Sequence, residues 1–206
     1  NTMAVVGGAS LLIMGIIYNV PPLRSKDLVF VDVLSESINN PLRLIIGWAS
    51  VTTIILPPIS LIVSFWLGGA FLMATKRYAE YRFINNPKKA GLYRKSFNHY
   101  TELSLSLSAF FYAILCVFFL AVFLIKYRIE FLVSFPFIAV LFTWYLGLAS
   151  IHNTKLEWKP ETIFHNKKFF TYVIILTTFI LILFFWDLPS LHFLSDYSVL
   201  NDMRLE

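Results

Sequence analysis

The 206-residue chain is 58% hydrophobic and 14% charged, with a mean hydropathy of +0.71. Soluble domains carry roughly 25% charged residues, so this composition excludes an ordinary water-soluble globule and calls for lipid. The net charge of +5 accompanies no nucleic-acid motif, and the single Cys116 rules out an intrachain disulfide.

Residues 1–23, 44–75, 103–125, 131–151 and 169–186 contain no Asp, Glu, Lys or Arg. Each run matches or exceeds the roughly 18 apolar residues that signal a spanning helix. The 44–75 run is too long for one crossing, and Pro57-Pro58 divides it, because consecutive prolines remove donors and clash with the preceding turn. The pattern predicts an all-α polytopic bundle of six spans, at about 2–18, 40–56, 59–76, 102–125, 130–150 and 168–187. Residues 1–190 then form one transmembrane domain and 191–206 an extracytoplasmic tail. No basic leader precedes the first apolar run, so the chain is expected to be the C-terminal part of a longer membrane protein.

Six spans alternate the loops between two faces. Segments 24–43, 76–102 and 152–168 carry fourteen Lys/Arg, and the opposite turns and tail carry three. The positive-inside bias makes the long loops cytoplasmic, as in an integral protein of a bacterial or archaeal plasma membrane. Every dense set of titratable groups then lies on one face, which suits a lipid with an anionic head. Runs 44–75, 103–125 and 131–151 hold no acid or base, which argues against a transporter's ion path.

Three loops carry chemistry. In YNVPPLRSKDLVFVDVLSESINNPLR (18–43), Arg24 and Lys26 offer phosphate donors at headgroup level. Asp32 and Glu36 share a helical face, and paired carboxylates beside such cations suit a Mg²⁺ bridged to a phosphate. A plain solvated loop is the competing reading. Asn39-Asn40-Pro41 predicts a helix cap with proline at the first position. In the second loop, the helix is expected to run on through Lys76, Arg77 and Glu80, with Glu80 facing a cavity and Lys76 or Arg77 clamping phosphate. Tyr78–Arg82 is a further i,i+4 pair, Asn85-Asn86-Pro87 with Gly91 is a turn signal, and Arg94, Lys95, His99 and Tyr100 offer a second anion patch. His99 reads as a surface histidine. The third loop offers Trp158 as an interfacial anchor, Pro160-Glu161 as an element start, and Glu161–His165, an i,i+4 spacing that can hold a metal but has no third ligand and so reads as structural. Walker A, GxSxG, CxxC, HExxH and dinucleotide fingerprints are absent.

YNVPPLRSK…D, an apolar run and then KRYAE together resemble the C-terminal two-thirds of a UbiA-type intramembrane prenyltransferase. That resemblance implies a nine-helix bundle, of which helices four to nine are present here. It also implies an isoprenoid diphosphate held through Mg²⁺ by two acidic motifs and covered by a Tyr/Lys/Asp loop. Tyr18, Lys26 (or Arg24) and Asp32 match that loop, while Lys76-Arg77-Tyr78-Ala79-Glu80 stands where an Asp-rich motif is usual. The single acid, with SFPFI, Trp144-Tyr145 and Pro160-Glu161, is more similar to the decaprenyl-phosphate phosphoribosyltransferase branch.

The resemblance makes Tyr18, Lys26, Asp32 and Glu80 the expected catalytic set and Asp32 and Glu80 the expected Mg²⁺ ligands. Arg24, Lys26, Lys76, Arg77, Arg94 and Lys95 are the expected phosphate ligands. The first acidic motif would lie upstream, so this stretch alone is expected to be inactive. The implied activity is prenyl transfer from an isoprenoid diphosphate at the cytoplasmic face. Its alternatives are phosphoribosyl transfer to a polyprenyl phosphate, or a non-catalytic lipid-binding subunit or transporter.

Overall fold

The structure, a computed structural model, describes residues 2–52, 55–127, 129–150 and 166–185. Among them it is all-helical: α1 Thr2–Asn19, α2 Val31–Ser37, α3 Asn39–Val51, α4 Ile59–Ile84, α5 Pro87–Tyr93, α6 Glu102–Tyr127, α7 Phe135–Ser150 and α8 Lys167–Phe185. Short 3-10 turns cover Ser25–Asp27, Lys95–Asn98 and Ile129–Ser134. The expectations for Trp158, Pro160, Glu161 and His165, and for the tail 191–206, lie outside the described residues.

Five of these segments are long and apolar enough to cross a membrane: Thr2–Asn19, Ile59–Ile84, Glu102–Tyr127, Ile129–Ser150 and Lys167–Phe185. The predicted span over 40–56 is corrected. Helix α3 stops at Val51 after 13 residues, about 20 Å at 1.5 Å per residue, short of the roughly 30 Å hydrocarbon core. Thr52 turns to extended backbone and residues 55–58 stay non-helical up to α4, so the breaking influence of Pro57-Pro58 reaches several residues upstream. The expected cap is corrected too. Asn39 is already helical behind Ile38, which has αR backbone and supplies no side-chain cap. Pro41 falls at the third position, where its missing N–H has no partner inside the helix anyway.

Helix α4 is the spine. Lipid gives little hydrophobic drive between helices, so close approach of small residues holds them together. Ala70 and Ala74 of α4 and Ala109 of α6 are fully buried together with Phe71 and Tyr112. A Cβ on Gly68 would stand 3.2 Å from Cys116 Sγ. Just beside it, Ser64 Oγ donates to the Cys116 carbonyl (3.2 Å) and Cys116 Sγ donates to the Ser64 carbonyl (3.4 Å). Helix α7 joins through Phe142 stacked on Phe71, with centroids 4.6 Å apart. Helix α8 follows through Phe169 edge-on to Trp144 at 5.7 Å.

On the other side of α4, Gly69 receives the α2–α3 junction, where a Cβ would run into the Asn40 side chain and lie 3.2 Å from Ser37 Cβ. Trp66 Nε1 donates to the Leu34 carbonyl at 2.9 Å and fixes α2 along α4. Gly7 of α1 meets Ile46 of α3, and Tyr18 meets Glu36, so α3 runs antiparallel to α1. The ends of α1 and α4 and the start of α2 therefore gather at one end of the bundle. The predicted turn is found there: Asn85 caps α4 in the left-handed region (φ 47°), and the Asn86 side chain accepts from the Lys88 and Lys89 N–H groups ahead of Pro87.

Candidate functional site

At that end, side chains from four separated stretches converge on Arg77. Its Nη2 lies 2.5 Å from Glu36 Oε2, its Nη1 3.1 Å from Glu80 Oε2, and its Nε 3.6 Å from Asp32 Oδ2. The last contact is an ion pair without a hydrogen bond. Arg77 is 1% exposed and Asp32 0%. Charges buried so deeply in an apolar bundle are costly, and they persist where function or a closed network holds them.

The network closes around Asp32. Tyr100 donates to Oδ1 at 2.8 Å, while Ser96 Oγ (3.3 Å) and Arg94 Nη1 (3.4 Å) donate to Oδ2. Tyr100 also accepts the Phe30 N–H at 2.6 Å and meets the Phe30 ring edge-on. Phe30 sits at φ 62° immediately before α2, a backbone region that non-glycine residues adopt only under tertiary constraint. Tyr100 thus pins the start of α2 and orients its first carboxylate. Tyr18 completes the rim: its hydroxyl donates to Glu36 at 2.7 Å and accepts from Arg77 and Arg94, both at 3.4 Å.

Burial pushes the Asp32 carboxyl above its usual range, against the opposing pull of the Tyr100 hydrogen bond and the Arg77 and Arg94 charges. Burial and the facing Asp32 likewise push the Tyr100 phenol up, so it remains a donor at neutral pH. A carboxyl whose folded pKa is raised contributes stability that is complete below its unfolded pKa and is lost as pH climbs through the folded one. Thermal midpoints in detergent should therefore carry a downward component from the ordinary aspartate range toward neutrality, and Asp32→Asn should remove it. Identical pH slopes in the two proteins would refute this assignment.

Of the residues singled out from sequence, Tyr18, Asp32, Arg77, Glu80 and Arg94 are brought together. The helical pairing of Asp32 with Glu36 is found, with Arg77 as their shared partner. Lys26 is not in the cluster; its Nζ donates to Asn19 Oδ1 at 3.2 Å. Arg24 and Lys95 instead share Asp27, at 3.2 and 3.8 Å. Lys76 is half-buried on α4 with no ion pair among the described residues. Glu80 pairs with Arg77 rather than Lys76, and Arg82 bonds both Tyr78 (2.9 Å) and Glu102 (3.2 Å). His99 is exposed. Ser96 was missed, since nothing in its neighbourhood points to a carboxylate 64 positions away.

The expected Mg²⁺ pair meets a geometric objection. Asp32 and Glu80 face each other across the Arg77 guanidinium, and both Asp32 oxygens are engaged by protein donors. Among the described residues, no three His, Cys, Asp or Glu side chains converge as a metal set. As arranged, these two carboxylates do not fit a directly held magnesium ion. What the arrangement does offer is a charge-dense rim on a rigid base. Arg94 is one-fifth exposed and held only by long contacts, which leaves donors for an incoming anion. Glu36 and Tyr18, also partly exposed, can orient hydroxyls beside it.

No protein-family model matches the chain, and no curated protein or solved structure matches it.

Proposed function

We propose that the chain belongs to a membrane transferase of the UbiA type, acting on an isoprenoid phosphate or diphosphate at the polar end of the bundle. The observation that carries this reading is the convergence of Tyr18, Asp32, Glu36, Arg77, Glu80 and Arg94 beside an apolar helix pair. The lipid tail would lie along the helices and the anionic head against Arg94, with Arg24, Lys26 and Lys95 at the mouth. In this reading that mouth is cytoplasmic.

The residues here do three things. Arg94 binds the phosphate bidentately, and Tyr18 steadies the bridging oxygen. The Arg77–carboxylate core fixes both against reorganisation, so that charge developing on the leaving group meets donors already in place. Two reactions fit: prenyl transfer to an acceptor, or phosphoribosyl transfer to a polyprenyl phosphate.

The test is transfer by the full-length protein in membranes, with radiolabelled prenyl diphosphates compared against phosphoribosyl diphosphate. Arg94→Ala should weaken binding of the anionic substrate by roughly 10- to 100-fold, the worth of one or two charge-assisted hydrogen bonds. Turnover of neither donor, with retained polyprenyl phosphate binding, would instead assign a non-catalytic lipid-binding subunit. Unchanged binding in Arg94→Ala would overturn the site.

A further inference from the structure

Helix α5 carries a surface that the site does not use. Ala90 and Gly91 turn inward, and a Cβ on Gly91 would strike the Asn98 side chain, so this face is locked to the bundle. The opposite face is exposed, with the Tyr93 ring tilted against Phe97 at 6.3 Å between centroids. Leu92 is 89% exposed and Tyr93 52%, the former the most exposed large apolar side chain described. Lys88 and Lys89, both exposed, stand one turn before them. Spacing of i,i+4 pairs Lys88 with Leu92 and Lys89 with Tyr93, so each apolar body has a cation beside it.

The level of this face follows from α4. Its 26 residues rise about 39 Å, beyond the roughly 30 Å core, so about two turns project past the hydrocarbon at the polar end. Phe83, 51% exposed, is on those turns, and α5 begins after only Asn85 and Asn86. Arg94 and Ser96 reach Asp32, which pairs with Arg77 seven residues (about 10 Å) before the end of α4, so the chain has turned back by Leu92 and Tyr93 to the level of the headgroups. Side chains that pair an apolar body with a lysine at this depth match an anionic leaflet, where the ring and Leu sink and the ammonium groups meet phosphate.

We infer that α5 is an interfacial arm that docks on anionic lipid through Leu92, Tyr93, Lys88 and Lys89. The inference rests on the membrane-spanning reading of the helices and not on the transferase reading. The inner end of the same arm leads directly into Arg94 and Ser96, which hold Asp32.

The experiment uses the full-length protein carrying Leu92→Cys labelled with bimane, in a Cys116→Ser background that keeps a donor toward Ser64. It is placed in vesicles of phosphatidylcholine alone or with added phosphatidylglycerol, each containing a doxyl-lipid quencher. Quenching should rise with phosphatidylglycerol and fall with salt. Lys88→Ala and Lys89→Ala should each reduce the docking equilibrium by about fivefold. A label at lipid-facing Phe118 (58% exposed) should quench alike in both vesicles. Equal quenching of the Leu92 label in both, a lipid response that survives the double lysine substitution, or no quenching at all would each overturn the inference. The readout is independent of any transfer activity, so its failure and that of the proposed reaction are distinguishable.

Discussion

Replacing Arg77 by methionine is expected to destabilise the folded protein by about 3–5 kcal/mol, the usual consequence of removing one partner from a buried ionic cluster. Methionine matches the stem in length, so the loss reports the guanidinium rather than a cavity. Without it, Asp32, Glu36 and Glu80 face one another, and among the described residues the one remaining cation paired with them is Arg94, which reaches Asp32. Arg77→Lys should recover only a fraction, because a single ammonium cannot serve three carboxylates that approach a planar fork from different sides. Thermal unfolding in detergent, followed by helical signal, measures both. A midpoint in Arg77→Met equal to the parent would show that the cluster contributes nothing to the fold.

The second large effect is expected at Gly69. Any side chain there meets Asn40 and Ser37, so Gly69→Leu must push the α2–α3 junction off α4. Overpacking of this kind costs roughly 1–3 kcal/mol. The larger consequence is positional, since α2 carries Asp32 and Glu36 and its displacement separates them from Arg77. Substrate binding and transfer should fall together, while Gly15→Ala should leave both intact. Gly15 lies on α1 with nothing within 4 Å of its would-be Cβ, and alanine there improves helix propensity by up to about 1 kcal/mol. Binding by Gly69→Leu at parental affinity would dissociate the α2–α4 contact from the site.

The sequence made some of this legible and hid the rest for identifiable reasons. Most local signals were dependable, the Asn39-Asn40-Pro41 cap excepted. The Asn85-Asn86-Pro87 turn, the continuation of α4 through Glu80, and the shared face of Asp32 and Glu36 all depend on chemistry within a few residues. The 40–56 span was misjudged because hydropathy marks what lipid tolerates and not where backbone hydrogen bonds end. Composition there stays apolar past Val51 while the helix does not. The partners of Arg77 could not be foreseen, since a basic residue near a helix end reads equally as a phosphate clamp or an ion-pair partner. Only the distant placement of α2 and of the Arg94–Tyr100 stretch decides between them.

Every described member of the Arg77 cluster lies between Tyr18 and Tyr100, and α6, the next helix in the chain, is the one bound to α4 through Ser64 and Cys116. The order of the chain during synthesis therefore matters. Once α6 has entered the membrane and paired with α4, the carboxylates, their arginines and the covering tyrosine are all present, with α7 and α8 still to come. The described members of the site are thus all made before the last two helices, and none of them waits on α7 or α8 for its partner.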